Sequence, residues 1–78
     1  MNREVLKDIG QRIYKARIQV GMTQAELAEK LGVDRVEVTH YENGNRGPHI
    51  SDVPLLAEVL GVSPLYFFEG GENRDEQG

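Results

Sequence analysis

Apolar residues in the first third of the chain recur at Val5, Leu6, Ile9, Ile13, Ala16 and Val20, close to the helical period, and Gly21 follows as a stop. The spacing predicts a first helix over residues 2–20. Thr23 with Glu26 three residues on is a capping box, and behind it Leu27, Ala28 and Leu31 form an apolar stripe closed by Gly32. A second, short helix is expected there.

The next stretch, GVDRVEVTHYENG (32–44), is ambiguous when read locally. Val36, Val38 and His40 alternate as an edge strand would, whereas Asp34 with Glu37 is written like a capping box and Asn43-Gly44 like a left-handed stop. No other segment alternates with period two, so a strand here would leave its backbone groups unpaired. Helix is the better choice, and the β-branched residues cost it only tenths of a kcal/mol each. Val38 and Tyr41 then share one face, with Val33 leading in, while Arg35, Val36, Thr39 and His40 project elsewhere.

Residues 43–50 form a loop rich in Asn and Gly. Ser51 or Asp52 is expected to cap a fourth helix through Leu55, Leu56, Val59 and Leu60, with Pro54 tolerated in its first turn. Ser63-Pro64 repeats the signature before Leu65, Tyr66, Phe67 and Phe68, a fifth short helix. The sequence predicts an all-α, five-helix domain over residues 1–70. Residues 71–78 end in ENRDEQG, without an apolar side chain, and are expected to be a disordered acidic tail.

With 78 residues there is room for one small core, and with no cysteine neither disulfides nor thiolate-bound zinc can hold it together. Packing must do so. No apolar run approaches the roughly 18 residues needed to span a bilayer, so a cytoplasmic protein without a membrane partner is expected. The net charge of −4 argues against a polyanionic partner, but its distribution changes that picture. Residues 1–50 hold eight Lys/Arg against seven Asp/Glu, whereas residues 51–78 hold one Arg against six Asp/Glu. Such a molecule can turn its locally basic half toward a polyanion and its acidic half away.

Enzyme chemistry finds no support: there is no phosphate-binding loop, no nucleophile elbow and no H-E-x-x-H, and both serines stand as helix caps. No catalytic residue and no cofactor are expected. His40, Glu42 and His49 lack a further close ligand, so no metal site is expected either.

Helix, Gly-containing turn and second helix make a helix-turn-helix, in which the first helix braces the second so that it can enter the DNA major groove. Ala28, Gly32, Leu27, Leu31, Val33, Val38 and Tyr41 suit the packing positions. Through RIQVGMTQAELAEKLGV (17–33), YENG (41–44) and LAEVLGVSPLYFFEG (56–70), the chain resembles the Cro/CI-like, or Xre-type, DNA-binding domains of phage repressors and bacterial regulators. The resemblance implies a lambda-repressor-like fold. It also implies that Arg35, Val36, Thr39 and His40 face base edges, that Gln24 and Asn43 bond phosphates, and that Arg17 and Glu42 form an internal ion pair. Thr23, Asn45 and Arg46 are added as phosphate contacts. Arg35 has the fork geometry for guanine O6 and N7, and Val36 suits a thymine methyl.

Four large residues, Leu65, Tyr66, Phe67 and Phe68, are hard to bury together at the end of so small a chain, which points to a homodimer surface. The expectation is a homodimeric, sequence-specific regulator of double-stranded DNA, a repressor from a bacterium or phage. The alternative is a protein-interaction module of the same fold, such as an antitoxin with a protein partner.

Overall fold

The computed structural model describes residues 2–68. Four α-helices follow one another: α1 (Arg3–Gln19), α2 (Gln24–Leu31), α3 (Arg35–Asn43) and α4 (Val53–Leu60), with 3-10 turns at Ile50–Asp52 and Pro64–Phe68. Among the described residues there is no strand. The ambiguous stretch is helical, because α3 packs against both α1 and α2 and buries Val38 and Tyr41 between them. Tertiary burial outweighs the strand-like local sequence.

Asn2 caps α1, its side chain accepting from the Glu4 amide, and the Thr23/Glu26 capping box of α2 is complete in both directions. Gly32 closes α2 at φ 75°, a left-handed conformation that lets the chain reverse into α3 without a Cβ penalty. The core draws Ile9, Ile13 and Ala16 from α1, Leu27 and Ala28 from α2, Val38 and Tyr41 from α3, Val53, Leu56, Ala57 and Leu60 from α4, and Phe67 from the last turn.

Three local expectations are corrected. Asp34 opens α3 without a side-chain cap; the Glu37 amide bonds the Asp34 carbonyl instead, at 2.9 Å. Glu37 is drawn away from the helix start by Arg46, whose guanidinium lies 3.1 Å from it. Neither Ser51 nor Asp52 caps α4. Asp52 is already in a right-handed helical conformation, and the chain enters α4 through a 3-10 turn opened by His49, whose Nδ1 accepts from the Ser51 amide at 3.1 Å. The fifth element is a 3-10 turn rather than an α-helix, since so short a segment bonds i to i+3, as Tyr66 N does to the Ser63 carbonyl. The predicted acidic tail lies outside the described residues.

Candidate nucleic-acid interface

Glycine in the middle of a helix costs about 1 kcal/mol against alanine, so Gly10 in α1 needs a reason. The reason is contact. A Cβ there would overlap the Tyr41 carbonyl oxygen, well inside van der Waals contact distance, and would lie 2.8 Å from that of Glu42. The backbone of α1 therefore lies directly against the end of α3. A second contact of the same kind sits one turn earlier, where Gly44, at φ 76°, leaves a Cβ only 2.8 Å from Lys7 Cγ. These two glycines set how α3 is presented.

At the other end of the same contact stands an ion pair. Arg17 Nε donates to Glu42 Oε2 at 2.6 Å and Arg17 NH2 donates to Oε1 at 3.0 Å, with the side chains only 9% and 5% exposed. The remaining guanidinium nitrogen donates to the Met22 carbonyl, 2.8 Å away, tying the α1–α2 turn into the same unit. Hydrogen bonding by Glu42 pushes the Arg17 pKa above its ordinary value, against the opposing pull of burial. Gln24, the first residue of α2, joins the pair through Nε2, 3.0 Å from Glu42 Oε1, and its Oε1 accepts from the Thr39 hydroxyl at 3.1 Å. Arg17, Glu42, Gln24 and Thr39 are thus one polar network joining α1, α2 and α3. Composition and spacing gave no sign that Gln24 and Thr39 belong to it, because side-chain bonding across 15 residues has no local signature.

Beside this network lies the outward face of α3. Arg35 is exposed in its first turn and has no side-chain partner among the described residues. Val36 next to it is 57% exposed, although valine prefers burial. His40, one turn on, is half-buried, with Nδ1 3.3 Å from the side-chain nitrogen Nδ2 of Asn45. Thr39, expected to face base edges, gives its proton to protein acceptors instead: Gln24 Oε1 and the Arg35 carbonyl.

The expected phosphate contacts are spread around this face. The Thr23 hydroxyl accepts from the Glu26 amide and keeps its own proton to donate. Asn43 and Asn45 are exposed at the far end of α3. Arg46 is held by Glu37, 3.1 Å away. Burial above all, with the nearby charges of Glu37 and Asp52, raises the Tyr41 pKa, so the phenol remains a neutral donor.

The four residues expected at a dimer surface divide. Phe67 is 1% exposed and belongs to the core, so it is not available to a second chain; Tyr66 is half-buried beneath Arg12, whose guanidinium sits 5.0 Å from the ring centre. Leu65 and Phe68 point outward, at 69% and 43% exposed. Ile50, which sequence reasoning passed over as a loop residue, is 74% exposed near Phe68, and both rim an apolar recess of about 190 Å³ floored by Ile9, Val53 and Phe67. Among the described residues no group of carboxylates, histidines or cysteines could hold a metal ion, and no helix is long and apolar enough to cross a membrane.

A short bracing helix, a left-handed glycine turn and a second helix with an open outer face define a helix-turn-helix domain of lambda-repressor-like architecture. Residues 13–67 match the sequence profile of the helix-turn-helix family. The chain belongs to that family, in its Cro/CI-like or Xre-type branch. Similar proteins include the uncharacterized HTH-type transcriptional regulators RP497 of Rickettsia prowazekii, 34% identical over 87% of this chain and 52% of that protein, and YqaE of Bacillus subtilis, 35% identical over 81% and 54%. The chain spans about half the length of these curated relatives. Among solved structures, the restriction-modification controller protein C.AhdI from Aeromonas hydrophila superposes with a TM-score of 0.75 at 33% identity, over 81% of this chain and 96% of that one. The P22 c2 repressor, crystallised with a synthetic operator, gives 0.74 at 29% identity, over 80% and 94%.

Proposed function

We propose that this protein is a homodimeric, sequence-specific regulator of transcription, acting as a repressor, that places α3 in the major groove of double-stranded DNA. The observation that carries the reading is the exposed, unpartnered Arg35 beside Val36 on a helix whose opposite face is locked into the core. Arginine at that position can bond guanine O6 and N7 together, and valine can meet only a thymine methyl. Gln24, Thr23, Asn43 and Asn45 surround the reading face as phosphate contacts that set register. Arg46 joins them once a phosphate competes with Glu37. The P22 c2 repressor, seen with operator DNA, shares the fold and supports the same mode of docking.

Selection of bound duplexes from a random-sequence pool at roughly physiological salt tests this reading. An enriched palindrome with half-sites about 10 base pairs apart is expected. Failure to enrich any sequence, with folded protein, would leave the protein-interaction module as the better account. Arg35→Ala should lose about 1 to 3 kcal/mol of discrimination at one base pair per half-site and leave nonspecific binding nearly unchanged. An equal loss on every sequence would make Arg35 a phosphate contact.

Leu65, Phe68 and Ile50 are the side chains through which two copies pair in this proposal. A twofold axis there would set the two α3 helices about 34 Å apart, one DNA turn. Leu65→Asp should shift the protein from dimer to monomer in sedimentation velocity without lowering its helix content, because Leu65 contributes little to the monomer core. An unchanged sedimentation coefficient would remove this face from the dimer.

A further inference from the structure

Thr39 lies on the reading helix with Arg35, Val36 and His40, but its hydroxyl is differently engaged. It lies 3.1 Å from Gln24 Oε1 and 3.2 Å from the Arg35 carbonyl oxygen. A hydroxyl has one proton, and both receivers belong to the protein. Toward a groove, Thr39 offers a methyl group and oxygen lone pairs that accept but cannot donate.

The orientation of the Gln24 amide follows from its other neighbour. Both oxygens of the Glu42 carboxylate accept from Arg17, and a carboxylate paired in this way has no proton to give. The Gln24 group 3.0 Å from Glu42 Oε1 must therefore be the NH2, and the carbonyl must be the group turned to Thr39. That removes the usual ambiguity between amide nitrogen and oxygen. Glu42 takes one Nε2 hydrogen, and the second is left over on an amide held at both ends. The anchor is rigid, since Glu42 is itself held by a buried bidentate arginine.

We propose that Thr39 is a positioning residue: its hydroxyl fixes the Gln24 amide so that the spare Nε2 hydrogen is presented to a DNA phosphate, and it reads no base itself. The inference rests on the DNA-binding reading above. It confines base discrimination to Arg35, Val36 and His40, and makes Thr39 a source of sequence-independent affinity, exerted through the phosphate backbone.

Thr39→Val keeps the branched shape and removes the hydroxyl, while Thr39→Ser keeps the hydroxyl and removes the methyl. Affinity is measured for the operator selected by the wild type and for an unrelated duplex, and the random-pool selection is repeated with each variant. Thr39→Val should weaken both duplexes alike, roughly three- to tenfold per half-site, the range for one lost neutral hydrogen bond. The enriched sequence should not change, and Thr39→Ser should bind close to wild type. In a Gln24→Ala background, Thr39→Val should cause no further loss. A changed base preference in Thr39→Val, or the same loss with and without Gln24, would overturn the proposal.

The side-chain amide resonances of Gln24 in the free protein separate failure of this inference from failure of its premise. They should move in Thr39→Val and stay near wild type in Thr39→Ser. Unmoved resonances in Thr39→Val overturn the positioning role alone. A wild-type protein that binds no duplex overturns the DNA-binding reading, and the role of Thr39 toward phosphate with it.

Discussion

Arg17→Met should lower stability by about 3–5 kcal/mol, the cost of breaking a buried ion pair from one side. The partner left behind is the reason. Glu42 is 5% exposed at the side chain and would keep only the Gln24 amide as a donor, so its charge would be neither solvated nor balanced. The Met22 carbonyl would also lose its 2.8 Å bond from Arg17, loosening the turn that starts α2. A domain of this size holds roughly 4 to 12 kcal/mol in all, so a large share of the molecules would unfold near body temperature. Urea denaturation followed by circular dichroism would show the loss as a lower midpoint. The double variant Arg17→Met, Glu42→Leu should recover most of it, because a well-packed apolar pair replaces a buried ionic one at little cost. A single variant as stable as wild type would mean that Glu42 finds solvent in solution.

Gly10→Ala is the second change expected to be severe, even though alanine is the better helix former. Helix propensity favours the variant by about 1 kcal/mol. Against this stand the carbonyl oxygens of Tyr41 and Glu42, the second of them 2.8 Å from the new Cβ. Both are main-chain atoms of α3, so no rotamer change relieves the overlap, and the helices must separate. Overpacking of this kind costs about 3 kcal/mol at the upper end of its usual range. The net loss is about 2 kcal/mol, a fall of roughly 8–16 °C in Tm for a domain this small. Thermal unfolding by circular dichroism measures it directly. A Tm equal to or above wild type would show that α1 and α3 do not approach this closely. Any separation would also carry α3 away from Gln24, so the folded fraction of the variant should bind DNA more weakly.

Much of the fold was legible because the signals that mark helix ends are local. The Thr23/Glu26 box, the glycine after α2 and the helical spacing of Ile9, Ile13 and Ala16 each act within a few residues. The stretch around Val36 and Val38 was harder. Its local preference is for strand, and it became readable as helix only by asking where an unpaired strand would find partners. The exposed positions of Arg35 and Val36 also followed from helical phase alone, once Val38 and Tyr41 were taken as the inward face.

The misplaced caps have separate causes. Glu37 sits three residues after an N-cap candidate, as a capping box requires, yet Arg46 draws it elsewhere. Ser51 and Asp52 have the chemistry of caps, but the loop arrives already wound, and His49 performs the task. For Glu37 the competitor comes from nine residues away, whereas for Ser51 and Asp52 the 3-10 turn before α4 moves the capping position back to His49. Phe67 differs from its neighbours for a related reason. Four apolar residues in a row carry no phase, and only the position of the last turn against α1 and α4 decides which ring enters the core.

By itself, the order of residues determined the four α-helices, the capping box of α2, the glycine stops and the outward phase of α3, because these depend on interactions spanning one or two turns. Tertiary structure alone decided what Gly10 is for, which way the Gln24 amide faces, and that Thr39 spends its proton inside the protein. Those properties depend on groups brought together from separate helices, at distances where a few tenths of an ångström separate a hydrogen bond from none.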